Sequence, residues 1–341
     1  MRAKTYFIAD ISANHDGDLD RAKLLCKLAK QAGADAAKFQ HFKAETIVSD
    51  NGFKRLGGQQ SHQAKWKKSV FEVYQDASVP FDWTPSLKKY CDEIGIDFFT
   101  TPYDLDYVDQ LDQYVSMYKI GSGDITWIQM LKKVAATGKP VLIATGASNI
   151  DEVQRAIDTL SKFDCDIVLM QCNTNYTAEE ENFKYINLNV LKTYATMYPN
   201  IELGLSDHTL GHETVLGAVA LGARYVEKHF TDDNSRIGPD HPFSMNPTTW
   251  KEMVDSTRKL ELALGTGVKK VEDNEKQTVI LQRRSIRLNK DLNPGDVVKQ
   301  EDISYIRPCP IDALPIHIDV VGKEILTVLK KDDYLKPYDI K

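Results

Sequence analysis

Two histidines, His208 and His229, stand at the ends of two short apolar runs within the stretch GLSDHTLGHETVLGAVALGARYVEKHFT, Gly204 to Thr231. Neutral imidazoles bind divalent ions, and two of them with positions left open for oxygen suit Lewis-acid work on a carbonyl. Glu227 shares the face of His229, because strand side chains repeat every second residue. A histidine at a strand end is also an ordinary hydrogen-bonded structural residue, so the assignment leans on what surrounds the pair.

The elements that must position the pair are a buried strand ending at Ser206-Asp207-His208, a helix from about His212 to Leu221, and a second strand over Tyr225 to Phe230. If the strands are parallel neighbours, their carboxyl ends lie side by side and both rings can meet one ion. The same alternation fills the chain. Strands are expected at Thr5–Ile11, Ala36–Phe42, Asp97–Pro102, Met117–Ser122, Pro140–Gly146, Ile167–Cys172, Glu202–His208 and Tyr225–Phe230, each followed by a helical pattern. In the first helix Leu19, Ala22, Leu24, Leu25, Leu28, Ala29 and Ala32 form an apolar stripe stopped by Gly33. Strands apolar on both faces and separated by helices imply parallel pairing with right-handed crossovers. Eight such units in roughly 250 residues make an α/β protein of the TIM (β/α)8 barrel type. A doubly wound open sheet is the alternative; it calls for a Gly-rich fingerprint after its first strand, and none occurs.

The polar residues fall at the strand ends, where a barrel keeps its active site. Strand one runs into Asp10, Asn14 and His15; strand two ends with Lys38 and Gln40; strand three ends with Thr100-Thr101-Pro102. Strand four brings Lys119, Ser122 and Asp124, strand five Thr145-Gly146, and strand six Asn173, Thr174 and Tyr176. A lysine inside an apolar strand is costly to bury without an anionic partner. Lys38 and Lys119, with the hydroxyls of Ser122, Thr101, Thr145 and Ser206, make a cradle for a small phosphorylated carboxylate; the other reading pairs each lysine with an Asp or Glu of the chain. No activated nucleophile of the Ser-His or Cys-His kind assembles from the sequence, so a carbon nucleophile would belong to a substrate.

The remaining segments frame this barrel. Lys43 to Pro80, rich in Gln, Lys and Ser, is a long insertion at a strand's carboxyl end, where substrate-covering loops sit; Trp66, Phe71 and Tyr74 are expected to fold it onto the barrel rather than to serve as ligands. The division expected is a catalytic barrel over 1–265, a linker over 266–281, and a small domain of short strands and turns over 282–341, with a turn at Asn293-Pro294-Gly295-Asp296. The net charge of −6 over 341 residues argues against a nucleic-acid surface and for small-molecule partners. Five cysteines (Cys26, Cys91, Cys165, Cys172, Cys309) without a CxxC suggest buried fillers in a reducing compartment. The opening MRAKTYFIAD reads as a strand rather than a signal peptide, and no stretch reaches membrane-spanning length, so a cytoplasmic location is expected.

The segments IADISANHDGDLDRAKLL, AGADAAKFQHFKAETIVS, FFTTPYD, YKIGSGD, ATGAS, QCNTNY, GLSDHT, EKHFT, IGPDHPFSM and YIRP together resemble the sialic acid synthase (N-acetylneuraminate synthase) family, which includes legionaminate and pseudaminate synthases. The resemblance implies a TIM barrel followed by an antifreeze-like (SAF) domain in a domain-swapped homodimer. It implies condensation of phosphoenolpyruvate with an N-acylated mannosamine-type hexose, with Mn2+ or Mg2+, giving a nine-carbon 3-deoxy-2-keto acid and phosphate. On that likeness His208 and His229 hold the metal, and Lys38, Lys119, Ser122, Thr101 and Ser206 hold phosphoenolpyruvate. Gln40, Tyr176 and Asp240 handle the sugar or nearby water, and Arg307 reaches across the dimer to the N-acyl group. Asp10 aligns with a catalytic carboxylate that is usually Glu in the family; Asp124 likewise replaces Glu, and Thr174 stands where some members have Asn. A metal-dependent aldolase using pyruvate itself, or a sugar-binding relative without turnover, are the alternatives.

Overall fold

The computed structural model describes residues 4–56, 63 and 66–341. They divide into two compact units, Met1–Gly265 and Thr266–Lys341. In the first, eight strands pair in parallel around a closed barrel in sequence order. They are β1 (Tyr6–Asp10), β2 (Ala36–His41), β3 (Asp97–Pro102), β4 (Tyr118–Ile120), β5 (Val141–Ala144), β6 (Ile167–Cys172), β7 (Glu202–Asp207) and β8 (Tyr225–His229). Two match the sequence expectation end to end, and the others stop short of it where the chain turns into its loop. Closure leaves every strand with two neighbours and helices behind it, so both faces are buried and the strands are near-continuously apolar.

The first helix shows how the outer ring is built. Asp18 caps Leu19–Ala32 by accepting from the backbone N–H groups of Asp20 and Arg21, and Gly33 ends it in the left-handed region at φ 99°. Ala22, Leu25, Cys26, Ala29 and Ala32 face the barrel, whereas Leu24 is 43% exposed and lies outside the stripe read from sequence. The last barrel helix, Pro247–Leu264, is capped by Asn246. Among the described residues, the insertion after β2 carries the short helices Ala44–Ile47, Asp50–Arg55 and Val70–Ala77.

The second unit holds the antiparallel strands β9 (Ser285–Leu288) and β10 (Ile303–Ile306) and a small core that includes Ile286, Leu292, Val298, Ile325 and Leu335. Its turn at 293–296 closes as expected, with the Asp296 N–H donating to the Asn293 carbonyl and Gly295 at φ 92°. The 266–281 segment read as a linker is not structureless: Lys276–Gln282 form a short helix. Among the described residues no helix is long and apolar enough to cross a membrane.

Candidate active site

Barrel register decides which strand-end residues meet. Asp10 of β1 lies level with Lys38 of β2 and with His229 of β8, and Ser206 of β7 lies level with both Glu227 of β8 and Cys172 of β6. With a period of two, Asp10, Lys38, Gln40, Ser206, Glu227 and His229 point inward, and their neighbours His41, Asp207 and Lys228 point to the helices. The outward set is structural. His41 bridges the Thr100 and Thr84 hydroxyls, and Lys228 pairs with Asp207 under the hydroxyls of Thr209 and Thr214.

The inward set forms two buried ion pairs. Lys38 Nζ lies 2.7 Å from Asp10 Oδ2, which also accepts from Gln40 Nε2 at 3.0 Å, and Lys38 reaches Thr101 Oγ1 at 3.4 Å. Across the barrel, Lys119 Nζ lies 2.8 Å from Glu227 Oε1, which also accepts from Ser206 Oγ at 3.2 Å. Burial pushes both carboxyls up, but the Lys38 charge at Asp10 and the Lys119 charge at Glu227 outweigh it and hold them below the ordinary range. Each lysine therefore carries its own counter-ion, the second of the two arrangements open at the sequence level, and the pair is not a bare cationic cradle.

The two rings converge. His208 and His229 have centroids 5.4 Å apart, with Phe243 packed edge-on against both and the Tyr176 ring 4.2 Å from His208. His208 Nδ1 lies 2.9 Å from the Asn173 carbonyl, which can only accept, so that nitrogen carries the proton and Nε2 keeps a free lone pair. His229 Nδ1 is buried without a hydrogen-bond partner and 3.6 Å from Asp240 Oδ2. Two imidazoles with an available lone pair and an orphaned ring nitrogen fit a divalent ion whose other ligands are oxygens. Among the described residues no cluster of three His, Cys, Asp or Glu side chains forms a closed metal site.

Asp240 comes to this place on the loop after β8. Its carboxylate accepts from Ser12 Oγ at 2.6 Å and from the Ala13 N–H at 3.3 Å. Arg21 holds the start of the loop through two bonds to Asp232, and Asp16 holds its middle through Arg236 and His241. His229, Tyr176, Asp240 and Gln40 line a cavity of about 170 Å3 together with Tyr74, Tyr103 and Trp66. These three aromatics are the main omission of the sequence reading, which assigned Trp66 and Tyr74 to packing alone. Tyr103 could have been found, since it continues the inward count from Thr101; nothing periodic marks the two loop residues.

Other predicted residues sit apart from the cavity wall. Ser122 Oγ accepts from the Gly146 N–H at 2.9 Å, and Gly146 is where Ser122, Thr174 and Cys172 crowd together. Thr145 departs from the expectation: its hydroxyl donates to the Met170 carbonyl and accepts from Tyr194, because the residue after inward Ala144 faces the helices. The Asn173 side chain braces its own loop by accepting from the Asn175 N–H, while its main-chain carbonyl orients His208. Asp124 is half-buried, and desolvation raises its carboxyl to about 6. Burial raises the Cys172 thiol, and the neighbouring His208, Ser122 and Lys119 outweigh that rise. The thiol is not part of the cavity wall. Arg307 lies in the second unit, exposed, with Nε donating to the Gln282 carbonyl.

A parallel barrel whose carboxyl-end mouth gathers paired lysines, two convergent imidazoles and an aromatic-lidded cavity defines the class: a TIM-barrel enzyme. The NeuB family model matches residues 25–269. The chain belongs to the NeuB family, the enzymes of sialic-acid-synthase type. It is 38% identical over 309 residues to the N,N'-diacetyllegionaminic acid synthase of Legionella pneumophila, covering 89% of this chain and 85% of that one. It is 30% identical over 330 residues to the human N-acetylneuraminate-9-phosphate synthase, covering 96% and 90%. Among solved structures, the N-acetylneuraminic acid synthetase of Leptospira borgpetersenii superposes with a TM-score of 0.70 at 28% identity, covering 81% of this chain and 90% of that one.

Proposed function

We propose that the barrel mouth condenses phosphoenolpyruvate with the open-chain aldehyde of an N-acylated mannosamine-type hexose, giving a nine-carbon 3-deoxy-2-keto acid and phosphate. The observation that supports this best is the convergence of His208 and His229, 5.4 Å apart, beside the Asp10–Lys38 pair and over the Asp240-lined cavity. Carbon 3 of phosphoenolpyruvate bonds to the aldehyde carbon, whose oxygen takes a proton. Water adds to the cationic carbon 2, and the tetrahedral centre then expels phosphate.

In this reading His208 and His229 hold a divalent ion, Mn2+ or Mg2+, which when bound supplies Lewis-acid polarisation of the aldehyde oxygen. Lys38 and Lys119 face the phosphate and carboxylate of phosphoenolpyruvate with Thr101, Ser122 and Ser206, each ammonium group paired with a carboxylate at the buried mouth. Because Asp10 and Glu227 already balance these charges, the anion is held by redistribution of hydrogen bonds rather than by net positive charge. Asp10, fixed by Lys38, Gln40 and the Ser12 N–H, is the catalytic carboxylate, placed to steer the water. Asp240 and Tyr176 orient the sugar, and Asp124 and Thr174 face its side of the site. The terminal 282–341 segment acts as an antifreeze-like domain that brings Arg307 to the acyl group of a sugar bound by the partner in a domain-swapped homodimer.

The test is release of inorganic phosphate by the purified full-length protein, supplied with phosphoenolpyruvate, the amino sugar and Mn2+. Phosphate should appear in proportion to sugar consumed. Product formed from pyruvate, with phosphoenolpyruvate inert, would make the protein an aldolase instead. Arg307→Ala should raise the Michaelis constant of the sugar more than that of phosphoenolpyruvate; equal rises would remove Arg307 from the sugar site.

A further inference from the structure

A single turn, Ser12–His15, follows β1; Ser12 opens it and Asp16 follows it, and both lie in the left-handed region, at φ 44° and φ 51°. Neither is glycine. A side chain in that region costs free energy and persists only where surrounding contacts over-determine it, and such residues gather at functional sites. Here the two strained residues grasp two successive residues of the loop after β8. Ser12 Oγ donates to Asp240 Oδ2 at 2.6 Å, and Asp16 Oδ1 accepts from His241 Nε2 at 3.0 Å.

Asp16 is the hub of this grip. Its other oxygen takes Arg236 through Nε at 2.9 Å and Nη2 at 2.7 Å, and Arg21 through Nε at 3.0 Å. Arg21 is in turn tied to Asp232, so one carboxylate fastens the loop at 232, 236 and 241. The His241 ring is fully buried, and its Nδ1 lies 2.7 Å from Thr231 Oγ1, two residues past His229. The ring therefore spans from the β1 turn to the end of β8. Asp240, the residue before it, comes to lie with Oδ2 3.6 Å from His229 Nδ1. Gly238 lets the loop close over the ring, since a methyl there would fall 2.7 Å from His241 Cδ2. Asp16 does not line the cavity that His229 and Asp240 share, so its route to the site runs through His241.

We propose that Asp16 is a positioning residue of the condensation: through His241 it sets where the Asp240 carboxylate stands against His229 and the sugar. The inference rests on the proposed condensation and adds to it a residue that touches neither substrate.

A double-mutant cycle in the full-length protein tests it, read as phosphate release with phosphoenolpyruvate, Mn2+ and whichever of N-acetylmannosamine and 2,4-diacetamido-2,4,6-trideoxymannose the wild type consumes. Asp16→Ala and Asp240→Ala should each lower kcat/KM for the sugar about tenfold or more, the scale of a misplaced orienting group, while the Michaelis constant of phosphoenolpyruvate holds. The double variant should be no worse than Asp240→Ala alone, because Asp16 acts by way of Asp240. Losses that multiply, or an Asp16→Ala enzyme with wild-type kcat/KM, overturn the proposal. Gly238→Ala pushes the ring off Asp16 without removing a charge and should repeat the loss; wild-type kcat/KM in that variant also overturns it. Crystal structures of the wild type and Asp16→Ala, or of Gly238→Ala should Asp16→Ala not fold, read the same claim without turnover. The Asp240 carboxylate should leave Ser12 Oγ and His229 in the variant, and a carboxylate that keeps both contacts overturns the role of Asp16. No phosphate release by the wild type with either sugar overturns the condensation itself, and with it any part for Asp16 in that reaction.

Discussion

Asp124→Asn should stabilise the protein at neutral pH and do nothing for it in acid. Burial alone raises the Asp124 carboxyl from 3.8 to about 6, and among the described residues no donor or cation compensates it. A carboxyl whose folded value lies above its unfolded one favours folding fully below the unfolded value, and that contribution is lost as pH rises through the folded value. The difference of about 2 units corresponds to about 3 kcal/mol at 1.36 kcal/mol per unit, and partial exposure reduces this to about 2 kcal/mol. In a barrel of this size that is a gain in melting temperature of about 4 °C at pH 7.5. Calorimetry on wild type and variant between pH 4 and 8 measures it, because the other titrating groups are common to both proteins and cancel in the difference. The gap should open between about pH 4 and 6 and stay flat above. A variant equal to or less stable than wild type at pH 7.5, or a gap independent of pH, refutes the claim that an uncompensated carboxylate is stored there. A residue whose removal strengthens the fold is held for another purpose, and position 124 faces the sugar side of the proposed site.

Lys119→Met leaves Glu227 buried with only the Ser206 hydroxyl, since its second oxygen already lacks a partner, and should cost about 3–5 kcal/mol; Glu227→Gln in the same chain should recover a large part, read by thermal unfolding of the single and double variants. An additive double variant would show that the two side chains do not interact. Gly146→Ala places a methyl 2.4 Å from Thr174 Cγ2 and 2.8 Å from Ser122 Oγ, so it should destabilise by about 1–3 kcal/mol and raise the Michaelis constant of phosphoenolpyruvate by displacing Ser122. A neutral outcome on both counts would contradict the packing described. His208→Ala should abolish turnover and weaken Mn2+ binding measured by calorimetry, and chelation should silence the wild type reversibly; normal turnover after chelation would remove the metal from the mechanism.

The barrel was legible because its strands are apolar on both faces and end in polar residues, the pattern of a parallel sheet covered by helices, and because eight such units occur without the Gly-rich fingerprint of an open sheet. The same period of two also places most of the inward site residues, and it shows which candidates turn away from them: Asn173 follows inward Cys172, and Thr145 follows inward Ala144. Counting on from inward Lys119 through its register partner Leu142 puts Ala144 inward and Thr145 outward, against Tyr194. What periodicity cannot supply is the partner of a side chain across the barrel. Nothing in the spacing tells Lys119 to choose Glu227, on the opposite stave, over a ligand's carboxylate, because that choice depends on how far two inward chains reach across a filled interior. The same holds for the lid. Trp66 and Tyr74 sit in an insertion whose helices follow no barrel repeat, so their place over His229 and Asp240 is set by tertiary packing, as in the ring contact of Tyr74 with Phe42 at 5.4 Å. Staves of fixed period therefore set which side chains point inward, and loops without one set the aromatic side chains that line the cavity beside them, so the first are legible in a sequence and the second only in the folded chain.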